Sequence, residues 1–213
     1  MRQPTSDQAD PTRPERIGLL GGTFDPPHAG HLAAAVACRD ALSLDRLLLV
    51  VANHPWQKAP TRRISPAADR LALVEAAVDA IPGLEVSRME IDRGGPSYTI
   101  ETVEALRRQA AADGRPPPDV FLVVGADLVE SLPTWQRVDQ LRQLVTLVVV
   151  SRPRSPTPVE PAGWRAVHVD GGGVDVSSSD VRALLADHRT VTGLLPEPVI
   201  RCIRRRGMYA VSR

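Results

Sequence analysis

His28 and His31 stand three residues apart in the segment Gly-Gly-Thr-Phe-Asp-Pro-Pro-His-Ala-Gly-His-Leu, residues 21–32. Where a turn becomes a helix, that spacing lets both imidazoles face one point, and each can donate a hydrogen bond to a phosphoryl oxygen. The apolar run Ile17–Leu20 precedes the segment and a helix-like stretch, Leu32–Leu42, follows it. A strand that empties through a glycine-rich turn into a helix cradles phosphate, because backbone N–H groups and the helix dipole both point at the anion. Phosphoryl transfer asks a protein chiefly to hold the nucleophile in line and to stabilise charge on the phosphate oxygens. Two imidazoles, backbone N–H groups and the Thr23 hydroxyl suit that task. Gly21, Gly22 and Gly30 leave room for close approach of phosphate or of the packed helix. Phe24-Asp25-Pro26 has a plainer reading: Asp and Pro make the turn, Phe24 buries against the sheet, and Asp25 carries no catalytic duty.

A second candidate anion site is Val176-Ser177-Ser178-Ser179-Asp180-Val181-Arg182, where serines precede an apolar-periodic stretch containing Val181, Leu184 and Leu185. Ser178 or Ser179 is expected to cap the helix, and a capped N-terminus still presents free N–H groups and a positive dipole end. Asn53-His54-Pro55-Trp56-Gln57-Lys58 follows the apolar run Leu47–Val51, and the 53–65 stretch reads as a mobile lid. His54, His168 and His188 lack partners at ligand spacing, so no protein-held metal site is expected. Gly171-Gly172-Gly173 reads as a flexible connection into the serine motif.

The elements that must position these groups alternate. Short β-rich runs at Ile17–Leu20, Leu47–Val51, Leu84–Met89, Val120–Val124 and Leu144–Val150 are separated by segments of helical period at 31–42, 66–80, 98–112 and 126–142. Such alternation predicts an α/β fold with a doubly wound, mainly parallel, Rossmann-like sheet flanked by helices. Val120–Val124 and Leu147–Val150 show no polar alternation, as expected of strands covered on both faces. Ligands bind such sheets at the carboxyl ends of the strands, where both the His28–His31 turn and Gly125-Ala126-Asp127 fall. Ser65-Pro66 reads as N-cap and first helical residue. Residues 151–164, with four prolines, read as a loop. Arg204-Arg205-Arg206 reads as the basic last turn of a helix ended by Gly207.

With 213 residues the chain fits a single domain over 16–213, preceded by a proline-rich tail, 1–15, expected to be disordered. Its 26 basic and 25 acidic residues leave a net charge of +1, which argues against nucleic acid or an anionic membrane as partner. No apolar run is long enough to span a bilayer, and no secretory signal opens the chain. The two cysteines, Cys38 and Cys202, lie far apart without metal-ligand spacing, which suits free thiols in the cytoplasm. Oligomeric state is left open, a homo-oligomer included.

Residues 21–31 resemble the H-x-G-H signature of the nucleotidyltransferase superfamily. Ser97-Tyr98-Thr99, Gly125-Ala126-Asp127, Leu132-Pro133-Thr134-Trp135, Val176–Arg182 and Leu195-Pro196 with Met208-Tyr209 fall in the order found in bacterial nicotinate-nucleotide adenylyltransferases, a resemblance covering roughly residues 16–210. The resemblance implies transfer of AMP from ATP, accompanied by Mg²⁺, to nicotinate mononucleotide. It implies that His28, His31, Lys58 and Arg182 serve catalysis, and that Gly21, Gly22, Thr23, Phe24, Gly30, Gly125, Asp127, Ser178 and Ser179 form the ATP site. Asp127 would reach ribose hydroxyls, Trp135 would stack on the pyridine ring, and Tyr98 with Thr99 would address its carboxylate. Rival readings keep the reaction with nicotinamide mononucleotide or phosphopantetheine as acceptor, or make the chain a non-catalytic nucleotide-binding regulator.

Overall fold

Six strands, Arg16–Gly22 (β1), Arg46–Val51 (β2), Leu84–Ser87 (β3), Asp119–Gly125 (β4), Val145–Ser151 (β5) and Ala166–Asp170 (β6), pair in parallel in the order β3-β2-β1-β4-β5-β6. They belong to a computed structural model that describes residues 13–55, 64–151 and 161–209. Helices Ala29–Ala41 (α1), Ala67–Val78 (α2), Met89–Arg93 (α3), Thr99–Ala112 (α4), Val138–Leu144 (α5), Ser178–Ala186 (α6) and Glu197–Arg206 (α7) surround the sheet, with a run of 3-10 turns over Ala126–Thr134. The chain leaves β1 toward β2 and β3, then crosses back to β4, so strand order reverses between β1 and β4. The crevice beyond their carboxyl ends is where such a fold takes ligands.

Each central strand divides its side chains between two cores. Leu47, Leu49 and Val51 of β2, with Phe121 and Val123 of β4, pack on residues of α1, α2, α6 and α7 such as Ala35, Leu73, Val181 and Val199. Leu48 and Val50, with Leu122 and Val124, pack instead on Ile100, Val103, Leu106 and Leu141 of α4 and α5. Burial on both faces explains why these strands read as unbroken apolar runs.

Some boundaries differ from the sequence reading. The strand expected over Leu84–Met89 stops at Ser87, and Met89 opens α3. The segment 126–142 is two elements: Pro133 lies within the 3-10 run, and Arg137 adopts φ 50° before α5 begins. Proline cannot donate the N–H that a continuing α-helix needs. Pro66 itself occupies the N-cap of α2, and Ser65 lies outside the helix. Strand β6 was not anticipated; on this sheet edge only Val169 is buried, so the apolar signal is thin. Within the expected tail, residues 1–12 lie outside the described residues, whereas Arg13 pairs with Asp45 and Glu15 with Arg46 and Arg115. Cys38 and Cys202 are free and buried, and burial pushes the Cys38 thiol up to about 12. Among the described residues no helix is long and apolar enough to cross a membrane.

Candidate active site

Two lobes of one crevice open at the carboxyl ends of β1 and β4, sharing Gly21, Gly22, Thr23, Val123, Val124 and Leu128 as common wall. One, the histidine lobe, is lined further by Phe24, His28, His31, Gly125, Asp127 and Ser177–Ser179. The other, the tryptophan lobe, is lined further by Ser97, Tyr98, Thr99, Trp135, Glu90 and Thr102 among others. Of the residues expected on ATP, Phe24, Gly125, Asp127, Ser178 and Ser179 line the histidine lobe alone, Gly21, Gly22 and Thr23 line both, and Gly30 lines neither; Tyr98, Thr99 and Trp135, expected on the acceptor, line the tryptophan lobe alone.

His28, 2% exposed, is the N-cap of α1 in extended conformation, and its imidazole lies over that of His31 with ring centroids 3.7 Å apart. The His28 backbone N–H donates to His31 Nδ1 at 3.2 Å, while Phe24 meets the His31 ring edge-on at 5.0 Å. Accepting at Nδ1 places the proton of a neutral His31 on Nε2. In the first turn of the helix the Ala29 N–H donates to the Leu194 carbonyl at 2.8 Å and the His31 N–H to the His28 carbonyl at 2.9 Å. Gly21 faces open space, whereas a Cβ at Gly22 would lie 2.8 Å from the Phe24 ring and one at Gly30 would lie 3.3 Å from the Val174 carbonyl. Gly21 therefore admits a ligand, and the other two allow packing around the cradle.

Helix α6 brings a second N-terminus to the same lobe. Ser177 is its cap, not Ser178 or Ser179: Ser177 is extended, and its Oγ accepts the Asp180 N–H at 3.1 Å. Ser178 Oγ donates to the Pro26 carbonyl at 2.8 Å, and Arg182 donates to the Asp25 carbonyl at 2.6 Å and to Ser179 Oγ at 3.0 Å. The serine helix is stitched to the turn that carries the histidines. Asp127 stands at the mouth, its carboxylate filling the space a Cβ at Gly125 would need.

In the tryptophan lobe, Tyr98 occupies the N-cap position of α4 and Thr99 begins the helix, so a third helix N-terminus borders the crevice. Trp135 follows the 3-10 run, its indole N–H donating to Ser131 Oγ at 3.4 Å. The wall between them is anchored by Asn53, whose N–H donates to Ser97 Oγ at 2.9 Å and whose side chain donates to the Gly95 carbonyl at 3.0 Å. Lys58 and most of the expected lid, residues 56–63, lie outside the described residues.

Several buried polar groups here were not singled out from sequence. Arg70 of α2, 1% exposed, reaches the backbone behind the cradle. Desolvation lowers its pKa, opposed by the nearby charges of Asp25 and Tyr209. Asp25, also 1% exposed, accepts the Tyr209 hydroxyl at 2.7 Å and the Ser65 N–H at 3.3 Å. Glu90, 7% exposed, accepts from Thr102 Oγ1 at 2.9 Å in the tryptophan lobe. One signal was available: Arg70 lies on the apolar face of α2 four residues before Val74, a place where a cation is rarely left without purpose.

The sequence matches the cytidylyltransferase-like family over residues 19–184. A protein of Bordetella petrii, named a probable nicotinate-nucleotide adenylyltransferase, is 40% identical over 205 residues, covering 92% of this chain and 99% of its own. Its namesake in Acidothermus cellulolyticus is 38% identical over 199 residues, covering 92% and 95%. Among solved structures, Plasmodium falciparum nicotinic acid mononucleotide adenylyltransferase complexed with NaAD superposes with a TM-score of 0.71 at 12% identity, over 92% of this chain and 97% of that one. The last comparison shows the shared fold. By the family match and by relatives that align along nearly their whole length, the chain belongs to the cytidylyltransferase-like family and, within it, to the nicotinate-nucleotide adenylyltransferases.

Proposed function

We propose that this chain transfers AMP from ATP to nicotinate mononucleotide, forming nicotinate adenine dinucleotide and pyrophosphate, a step of NAD biosynthesis in the cytosol. A phosphate oxygen of the mononucleotide attacks the α-phosphorus in line. The bond from that phosphorus to the oxygen bridging to the β-phosphate breaks, and pyrophosphate leaves with the electron pair. One observation carries the reading: an anion-binding lobe and a tryptophan-lined lobe share the Gly21–Thr23 wall, so a triphosphate in one and a mononucleotide in the other would meet there.

In this reading His28, His31, Lys58 and Arg182 stabilise charge on the reacting phosphates. Gly21, Gly22, Thr23, Phe24, Gly30, Gly125, Asp127, Ser178 and Ser179 form the ATP site. Trp135 offers its face to the pyridine ring, and the α4 N-terminus at Tyr98 and Thr99 offers donors to the carboxylate. Mg²⁺ enters as part of the ATP complex, held by the phosphates.

A second acceptor, nicotinamide mononucleotide, has one feature in its favour: the Glu90 carboxylate in the tryptophan lobe would accept an amide N–H. Incubating the purified chain with ATP, Mg²⁺ and either mononucleotide or phosphopantetheine, then measuring pyrophosphate and dinucleotide, decides the matter. Preferred turnover of nicotinate mononucleotide is expected. Preference for the amide would replace the acceptor, and no pyrophosphate with any acceptor would overturn the reading.

A further inference from the structure

The Arg70 guanidinium holds three carbonyls from three segments: Nη1 donates to Thr23 at 2.8 Å, Nε to Ser65 at 2.9 Å and Nη2 to Asn53 at 3.2 Å. Thr23 lies on the wall common to both lobes, at the end of β1. Asn53 follows β2 and is bonded to Ser97 and Gly95, which lead into Tyr98 and Thr99. Ser65 enters α2, and its N–H returns to the Asp25 carboxylate. One side chain therefore ties the phosphate cradle to the acceptor wall. A planar fork with five donors can do this; the ammonium of a lysine, on a flexible stem, cannot hold three diverging carbonyls at fixed angles. Burying a cation is costly, and Arg70 offsets that cost by donating to three carbonyls that an apolar residue would leave without this donor.

We propose that Arg70 is a positioning residue for adenylyl transfer, a buried clamp that sets the separation between Thr23 and Asn53 and so the line along which the acceptor phosphate meets the α-phosphorus. The proposal rests on the adenylyl-transfer reading, and its test separates the two. Arg70→Lys is compared with Leu73→Ala, a change at a fully buried residue of the same helix that does not touch the clamped carbonyls. Amide exchange in the whole chain without substrate reads the clamp directly. Useful reporters are Ala52, whose N–H donates to the Gly22 carbonyl, together with Asn53 and Ser65.

In Arg70→Lys, exchange at these three amides rises, kcat falls about 100-fold through misalignment and the Kd for ATP moves less than about threefold. Leu73→Ala lowers Tm yet keeps its kcat. Unchanged exchange at the three amides in Arg70→Lys overturns the proposal, as does a kcat within about threefold of the parent or an equal kcat loss in Leu73→Ala. If the unaltered chain releases no pyrophosphate from ATP and nicotinate mononucleotide, the functional reading falls while the exchange rates still decide the clamp.

Discussion

In the proposed reaction, the His31 nitrogen that faces a phosphate is set by its backbone contact. With Nδ1 accepting the His28 N–H, the proton of a neutral His31 sits on Nε2. The side chain thus has two separable duties, and substitutions can divide them. His31→Asn keeps an acceptor where Nδ1 stood but removes the distal donor, whereas His31→Ala removes both. For His31→Asn, kcat should fall about 100-fold or more while ATP affinity stays within several-fold, because a transition-state donor matters most when charge develops. His31→Ala should show the same kinetic loss plus a drop in unfolding free energy of about 1 kcal/mol from the lost contact at the helix start. Equal losses in kcat and ATP affinity for His31→Asn would make His31 a ground-state binder. Residues of this kind were legible in the sequence, since the chemistry demands particular types at particular spacings. For Arg70 the sequence offered only its place on the apolar face of α2; its partners were not legible, because they are backbone carbonyls from segments up to 47 residues away, and a carbonyl has no letter.

In helix α6 the residue that caps the first turn is distinct from the two serines proposed for ATP. Ser177 and Asp180 exchange hydrogen bonds across the first turn, with Ser177 Oγ accepting the Asp180 N–H and donating to its carboxylate at 2.6 Å. The cap thus falls to Ser177, and all three serines line the histidine lobe. Ser177→Ala should cost about 1 kcal/mol of stability, seen as a lower urea midpoint at unchanged m-value. If ATP must then reorder the frayed turn, its KM should rise about fivefold, the equivalent of that energy, with kcat held. A KM unchanged despite the stability loss would show that α6 does not hold ATP. Sequence pattern located this helix but misassigned its cap by one or two residues, since three consecutive serines are chemically alike and only backbone conformation separates them. The same limit explains the sheet. Strands buried on both faces announced themselves as apolar runs, while β6, wet on much of its surface, did not.

At the scale of the whole molecule, the chain's last described residues close on its first loop. Helix α7 packs on α2, Arg206 donates to Asp69 at 2.7 Å, and the Tyr209 hydroxyl donates to Asp25 within the turn that precedes His28. The contact joins residues 184 positions apart. Burial pushes the Tyr209 phenol well above its ordinary range, and the hydrogen bond to Asp25 and that carboxylate's charge push it further. A group whose pKa is raised by folding contributes stability that is complete below its unfolded value, about 10 for tyrosine, and that is lost as pH climbs toward the folded value. Tyr209→Phe removes both the hydrogen bond and the titration. Near neutral pH the variant should be less stable by about 1.5–3 kcal/mol, the usual range for a hydrogen bond to a charged partner. Above pH 10 the gap should narrow by about 1.4 kcal/mol per pH unit, because only the parent must then hold a phenol protonated. Taking the difference between the two proteins cancels Tyr98 and every other group that titrates in both. Urea unfolding from pH 7 to 11 reads the gap directly, and one that stayed constant across that range would mean that the tail does not lock the cradle through this hydroxyl.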